Sequence, residues 1–247
     1  MSFPIVISGE KIRLITVKPL SSERFGFIFS FHEANARVIP WEVWSMNKTQ
    51  KAIFIGMILG DAYLQKTGKN NARIRLEQSE KQREYLVWKA QQFPEFFQGK
   101  PTLLIRFNPV YKKTYRYIRW QSYASPEIGK YQKLFYVQTK KIIPKILPSL
   151  LVDPLSIAIW YMDDGYMYHR DKTAYIYLPK ITREEIQVLL SSLSINFGLI
   201  PVVKTKRSGN IVLIFPVKET RTLLLLVAPF VIPSMQYKLL DPVSTEA

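Results

Sequence analysis

The sequence predicts an α+β fold built from two related halves, and three observations predict it. Two apolar runs each end on an aspartate, FIGMILGDA at residues 54–62 and IAIWYMDDG at residues 157–165. Aligning Asp61 with Asp164 sets the runs 103 residues apart, so the chain reads as a duplicated unit with one acid per copy. After each run the hydrophobic period changes from helical to two, and each half continues in the same order: helix, two strands, helix, two strands, helix. Such a chain can bring two carboxylates together on a pseudo-twofold axis, the geometry that two-metal phosphodiester cleavage needs.

Residues 1–46 match neither half and carry aromatic clusters at Phe25, Phe27, Phe29 and Phe31 and at Trp41 and Trp44. They are expected to form an extension of unknown role packed on the main body. The first half spans 47–145 and the second 146–247, with the proline-containing stretch 143–154 between them. Asn47 or Thr49 can cap a helix over 51–60, and Asp153-Pro154 is a helix-start pair for its companion, which runs to Asp163. In 72–77 the alternation sets Arg73, Arg75 and Glu77 on one face and Ile74 and Leu76 on the other. Residues 102–108 and 115–121 are further strands around a turn at 109–114. The second half repeats the order with 174–178, a helix over 183–197, then 201–206 and 210–215 around a hairpin turn at 206–210. The helix at 79–93 parallels that at 181–197, each opening on a capping residue and a polar or acidic first turn.

A length of 247 residues with 47% hydrophobic composition supports a globular core. The net charge of +16 favours a polyanionic partner such as nucleic acid. The excess is uneven. Residues 51–145 carry nineteen basic and six acidic side chains, whereas 146–247 carry ten and nine, so the first half is expected to grip phosphate harder. The chain has no cysteine, which excludes disulfides, zinc-thiolate clusters and thiol nucleophiles. That fits a reducing compartment, either an organelle or a prokaryotic cytoplasm. No apolar stretch reaches the ~20 residues of a membrane span and no signal-peptide layout opens the chain, so no membrane partner is expected.

Gly56 and Gly60 stand four apart and leave one helix face nearly bare, which permits close approach of a second helix. The approach would bring the partner's C-terminal acid beside Asp61. Paired carboxylates at the negative ends of two helices repel unless cations neutralise them, and oxygen ligands select a hard ion such as Mg²⁺. The contact is one-sided, because Ile159 and Asp163 occupy the matching positions of the second helix; Ala158 takes part of the small-residue role. Asp163 and Asp164 are adjacent, and Asp164 is preferred as the metal-binding acid for its register with Asp61 and the glycine that follows it.

These residues resemble the paired signature helices of the LAGLIDADG homing endonucleases. The forms LGDAY at 59–63 and WYMDDG at 160–165 are most similar to its single-chain, intron-encoded members, and KKIIP at 140–144 and PFVIPSMQYKL at 229–239 extend the resemblance over about residues 48–240. The resemblance implies two pseudo-twofold-related αββαββα halves joined by the signature helices, each laying a saddle-like antiparallel sheet on DNA. It makes Asp61 and Asp164 the acids that bind the catalytic metals, with the backbone carbonyls of Gly60 and Asp163 completing the metal shells. It places Lys141 and Lys238 near the scissile phosphates, and implies Mg²⁺ as the cofactor with Mn²⁺ as a substitute. The strand residues expected to face DNA are Arg73, Arg75, Glu77, Arg106, Arg116, Arg119, Gln121, Lys204, Lys206 and Arg207, since arginine can pair with guanine and glutamine with adenine.

The reading that follows is a monomeric nuclease that cuts double-stranded DNA at a long asymmetric site to mobilise its intron. The alternatives are a maturase that binds intron RNA, and a non-cleaving DNA-binding regulator on the same scaffold. Neither needs both acids and both lysines.

Overall fold

The computed structural model of the chain describes residues 45–239 and, ahead of them, three strands. The chain divides into two compact units, residues 1–44 and residues 45–247. In the first unit β1 (Ser2–Ile5), β2 (Arg13–Pro19) and β3 (Phe27–Glu33) form an antiparallel sheet in that order. The expected packing of residues 1–46 on the main body, and with it Phe25, Trp41 and Trp44, lies outside the described residues.

The second unit opens with α1 (Lys48–Leu59), and the choice of cap is settled by geometry: Asn47 Oδ1 accepts from the Gln50 amide at 2.8 Å while Gln50 Oε1 accepts from the Asn47 amide at 3.1 Å. Then follow β4 (Tyr63–Lys66), β5 (Ala72–Ser79), α2 (Arg83–Gln91), β6 (Thr102–Asn108), β7 (Lys113–Gln121) and α3 (Pro126–Phe135). A small hairpin, β8 (Tyr136–Val137) with β9 (Lys140–Lys141), and the short helix α4 (Leu147–Leu150) lead to the second half. That half comprises α5 (Pro154–Asp164), β10 (Gly165–Tyr168), β11 (Thr173–Leu178), α6 (Arg183–Phe197), β12 (Val202–Thr205), β13 (Ile211–Phe215) and α7 (Val217–Val227). The sheets have the orders β4-β5-β7-β6 and β10-β11-β13-β12, the same antiparallel topology twice.

Most predicted elements stand within a residue or two of their expected limits. Asp153 caps α5 through its side chain, and α6 carries a capping box between Thr182 and Glu185 and closes on Gly198 with φ +65°. The helix expected from Ser79 starts later. Ser79 makes no side-chain cap, a 3₁₀ turn occupies Glu80–Gln82, and α2 proper begins at Arg83. The hairpin β8–β9 was not anticipated, since two-residue strands show no period.

Helices α1 and α5 are buried on nearly every side, which is why both read as apolar all round rather than amphipathic. They pack at the junction of the halves. A Cβ on Gly56 would lie 2.4 Å from the Ser156 carbonyl oxygen and 2.6 Å from Ile159 Cβ, and one on Gly60 would lie 2.6 Å from Asp163 Cβ. Ser156 Oγ also donates to the Ala52 carbonyl at 2.8 Å, tying the backbones together where they run closest. The one-sided glycine contact expected from the sequence is present, with Ile159 and Asp163 filling the space that the glycines leave.

Candidate active site

The close helix contact carries the C-termini of α1 and α5 to one place. Asp61 follows the end of α1, Asp164 is the last residue of α5, and the next strands, β4 and β10, start immediately beyond them. Burial pushes the Asp164 carboxyl up to about 8, with the nearby charges of Asp61 and Asp163 adding to the effect and Lys141 and Lys238 opposing it. An ionised carboxylate at this position thus carries a desolvation cost, which the neighbouring lysines offset in part.

The two lysines singled out from the sequence occupy related positions. Lys141, presented by β9, donates from Nζ to the Gly60 carbonyl at 2.8 Å and the Ala62 carbonyl at 3.0 Å. Lys238, in a 3₁₀ segment (Pro233–Lys238), donates to the carbonyls of Met162 and, at 3.1 Å, Asp163. Each ammonium thus caps one signature helix at its negative end. Burial lowers the pKa of both lysines, with the three aspartates pulling the other way. Tyr161 holds the second of these segments in place by donating its hydroxyl to the Lys238 carbonyl at 2.8 Å. In the first half Tyr136, beside β9, accepts the Leu64 amide at 3.1 Å.

Asp163 has a different part. Its carboxylate lies against the bare face of Gly60 and is fully buried. Oδ2 accepts the backbone N–H of Asp61 at 3.1 Å, and Oδ1 accepts from Lys89 Nζ at 2.7 Å and from Gln78 Nε2 at 3.3 Å. Burial raises its carboxyl above the ordinary value against the pull of Lys89. Lys89 is itself fully buried and lies 4.2 Å from the centroid of the Tyr85 ring, whose hydroxyl donates to the Ile159 carbonyl at 3.1 Å. Gln78 Nε2 also reaches Asp61 Oδ2 at 3.3 Å, while its Oε1 is buried with no protein partner. Neither Lys89 nor Gln78 was among the sequence candidates. Gln78 carried a signal: it continues the inward phase of Ile74 and Leu76 along β5, where an amide needs partners.

The outward face of the first sheet gathers most of its expected residues. Arg73, Arg75 and Glu77 alternate on β5, and the register places Gln121 opposite Arg75 and Arg119 opposite Glu77. Glu77 is engaged with its neighbours on the sheet. It bridges Arg106 at 2.6 Å and Arg119 at 2.6 Å, and although burial would raise its carboxyl, the two arginines lower it. Gln65 accepts from Arg73 at 3.0 Å, and Arg75 lies over the Tyr63 ring. Arg116 departs from the expected set: three residues from Arg119 on one strand, it points to the opposite face and pairs with Glu80 at 2.5 Å. In the second half Lys204 is on β12, and Lys206 and Arg207 are in the turn to β13, with Lys206 Nζ 4.3 Å from the Tyr177 ring centroid.

Residues 51–223 match the family described as the LAGLIDADG DNA endonuclease family. The chain belongs to that family. Over 203 residues it is 32% identical to a probable intron-encoded endonuclease 1 of Wickerhamomyces canadensis, covering 79% of this chain and 86% of that protein. Among solved structures it is similar to the homing endonuclease I-WcaI bound to its DNA recognition sequence, with a TM-score of 0.74 and 29% identity, over 82% of this chain and 91% of that one. A cytochrome b mRNA maturase bI2 of Debaryomyces hansenii is 23% identical over 199 residues, 78% of this chain and 74% of that protein. The single-chain, two-half architecture read from the sequence is thus the architecture of this LAGLIDADG chain.

Among the described residues no group of three or more His, Cys, Asp or Glu side chains is placed to hold a metal ion. A cation at the signature helices of this LAGLIDADG chain would instead take the carboxylates of Asp61 and Asp164, completed by carbonyl oxygen and water. That donor set suits a hard divalent ion, and the buried, unpartnered Gln78 Oε1 offers a further acceptor for bound water. The carbonyls of Gly60 and Asp163 each receive a lysine N–H, which leaves each a second lone pair. The residues present fit the group.

Proposed function

We propose that this LAGLIDADG protein is a site-specific endonuclease that cuts both strands of a long asymmetric DNA site by divalent-metal-assisted hydrolysis, leaving short 3′ overhangs, and that it thereby mobilises its intron. The observation that carries the reading is the meeting of two helix ends, each with its own aspartate and its own buried lysine. Family membership and the likeness to a DNA-bound homing endonuclease support it. The chain is read as acting as a monomer, since both halves of the site come from one polypeptide.

In this reading Asp61 and Asp164 hold divalent cations together with the carbonyls of Gly60 and Asp163. Mg²⁺, or Mn²⁺ in its place, would supply activated water and charge stabilisation at the departing oxygen when bound. Lys141 and Lys238 offset charge that grows on the two scissile phosphates. Asp163 and Lys89 hold the Asp61 backbone, and Gln78 orients the Asp61 carboxylate. Arg73, Arg75, Arg106, Arg119 and Gln121 present hydrogen-bonding groups to the major groove, and Glu77 orders two of those arginines. Lys204, Lys206 and Arg207 serve the other half, chiefly on phosphate.

The test is incubation with duplex DNA spanning the uninterrupted host junction, with Mg²⁺ in one arm and Ca²⁺ in the other. Double-strand cleavage at one position in Mg²⁺ supports the nuclease. Binding without cleavage would sink it in favour of a regulator, and preferential binding of intron RNA would favour the maturase.

A further inference from the structure

The two sheets share one topology, yet their outward faces differ in chemistry. That of the first sheet sets arginines, Gln65, Gln121 and Glu77 among the rings of Tyr63, Tyr115 and Tyr117. On the second sheet the matching face is set by the register of Tyr166 with Tyr175, Tyr175 with Ile214, Ile214 with Val202, and Tyr177 with Val212. Alternation adds Tyr168, Thr173 and Lys204. No arginine, glutamine, asparagine or carboxylate stands on that face of the four strands.

The tyrosines form a continuous layer. Ring centroids are 4.6 Å apart for Tyr166 and Tyr168, 4.4 Å for Tyr168 and Tyr175, and 6.3 Å for Tyr175 and Tyr177. The Tyr168 and Tyr177 hydroxyls share a hydrogen bond at 3.0 Å. Tyr166 remains 51% exposed, and Val202 55%. Exposed aromatic and aliphatic side chains grouped in this way on one sheet face point to a recognition surface. Its occupant is indicated by continuity, since β10 begins at the residue after Asp164 and carries the face directly away from the helix-end acids, as β4 and β5 do for the first sheet.

Guanidinium, amide and carboxylate groups, which pair with base edges, are absent from the four strands of this face; its cationic groups are Lys204 and, just beyond the strand end, Lys206, whose Nζ lies 4.3 Å from the Tyr177 ring centroid. A hydroxyl both donates and accepts and so separates bases poorly. The base feature that an apolar and aromatic surface can distinguish in the major groove is the 5-methyl group of thymine. We propose that the second sheet reads its half of the DNA site by packing tyrosine rings and aliphatic side chains against thymine methyl groups, so that this half-site is A·T-rich and its recognition depends on those methyls. The inference rests on the nuclease reading above and concerns how its two half-sites differ.

The test begins with selection of bound duplexes from a randomised library in Ca²⁺. The absence of cysteine allows one label: Ser208→Cys, in the exposed turn between β12 and β13, bearing a tethered iron chelate, maps which half-site lies against the second sheet. Deoxyuridine is then substituted for thymidine in each half separately. The expected result is A·T enrichment in the half nearest Ser208 and roughly a fourfold loss of affinity there per contacted methyl, with little loss from the same change in the other half. Tyr166→Ala, checked for an unchanged melting temperature, should weaken binding to the thymine duplex and leave the deoxyuridine duplex less affected. A G·C-rich or unselected second half, or indifference to deoxyuridine while the first half is still selected, overturns this inference alone. Failure to select any sequence in either half overturns it together with the nuclease reading.

Discussion

The carboxylate of Asp163 accepts the backbone N–H of Asp61 at 3.1 Å, so the residue before one helix-end acid fixes the position of the other. The same carboxylate is held by Lys89 at 2.7 Å, with both side chains fully buried. The second half thus braces the first at the acid that the first contributes.

Removing one partner of this pair should be costly. Lys89→Met leaves a buried carboxylate without its cation, and the expected loss of folding stability is about 3–5 kcal/mol. Combining it with Asp163→Asn should recover much of that loss, because no unpaired charge remains. Urea unfolding of the two single variants and the double variant checks this, and strictly additive losses would show that the two groups do not act as a pair.

Asp61→Asn and Asp164→Asn should each abolish double-strand cleavage while Ca²⁺-supported DNA binding persists. Burial and like charge disfavour an ionised Asp164, so Asp164→Asn should not lower the melting temperature in the absence of divalent ions. A drop of several degrees there would show that the ionised side chain does not carry this desolvation cost.

Lys141→Met and Lys238→Met should slow cleavage by roughly a hundred- to a thousandfold at one strand each, because each lysine stands at the end of a different helix. On a supercoiled plasmid carrying the site, nicked circles should accumulate before linear product. Equal slowing of both strands by either variant would argue against separate roles.

Gly56→Ala tests the helix contact. The added methyl would meet the Ser156 carbonyl and Ile159 Cβ, and since the first is backbone, relief requires the helices to part. The expected cost is about 1–3 kcal/mol, read from denaturant midpoints, with loss of cleavage beyond what stability explains.

The bridge of Glu77 to Arg106 and Arg119 has a pH signature. Its carboxyl is lowered in the folded protein, so the stabilisation is present above the ordinary glutamate range and is lost as pH falls through the folded value. Glu77→Gln should therefore be less stable than the wild type at pH 6, roughly, and the difference should shrink in acid. A difference independent of pH would show that the bridge contributes through packing alone.

Much of this was legible in the sequence because local signals and global fold agree. Asn47, Asp153 and Thr182 are capping residues that the structure uses as caps, and the strand at 102–108 stands at its predicted limits. Lys141 and Lys238 were singled out through the resemblance of the short segments around them to the family. Lys89 was not, because a lysine in a helix of mixed polarity reads as a solvated residue and its partner lies 74 residues away. Its spacing of four from Tyr85 puts it on that helix's buried face, but only the tertiary fold supplies the counter-charge. Arg116 shows the reverse case. Its residue type suggested DNA, whereas its odd spacing from Arg119 already assigned it to the other side of the strand.

The glycines that allow the helices to touch belong to α1 alone, and the bulk that fills them belongs to α5. Two copies of α5 would set Asp163 against Asp163 and Ile159 against a face with no glycine to receive it. The halves have ceased to be interchangeable parts. A hybrid nuclease that takes one half from this protein should therefore carry both signature helices across as a matched set.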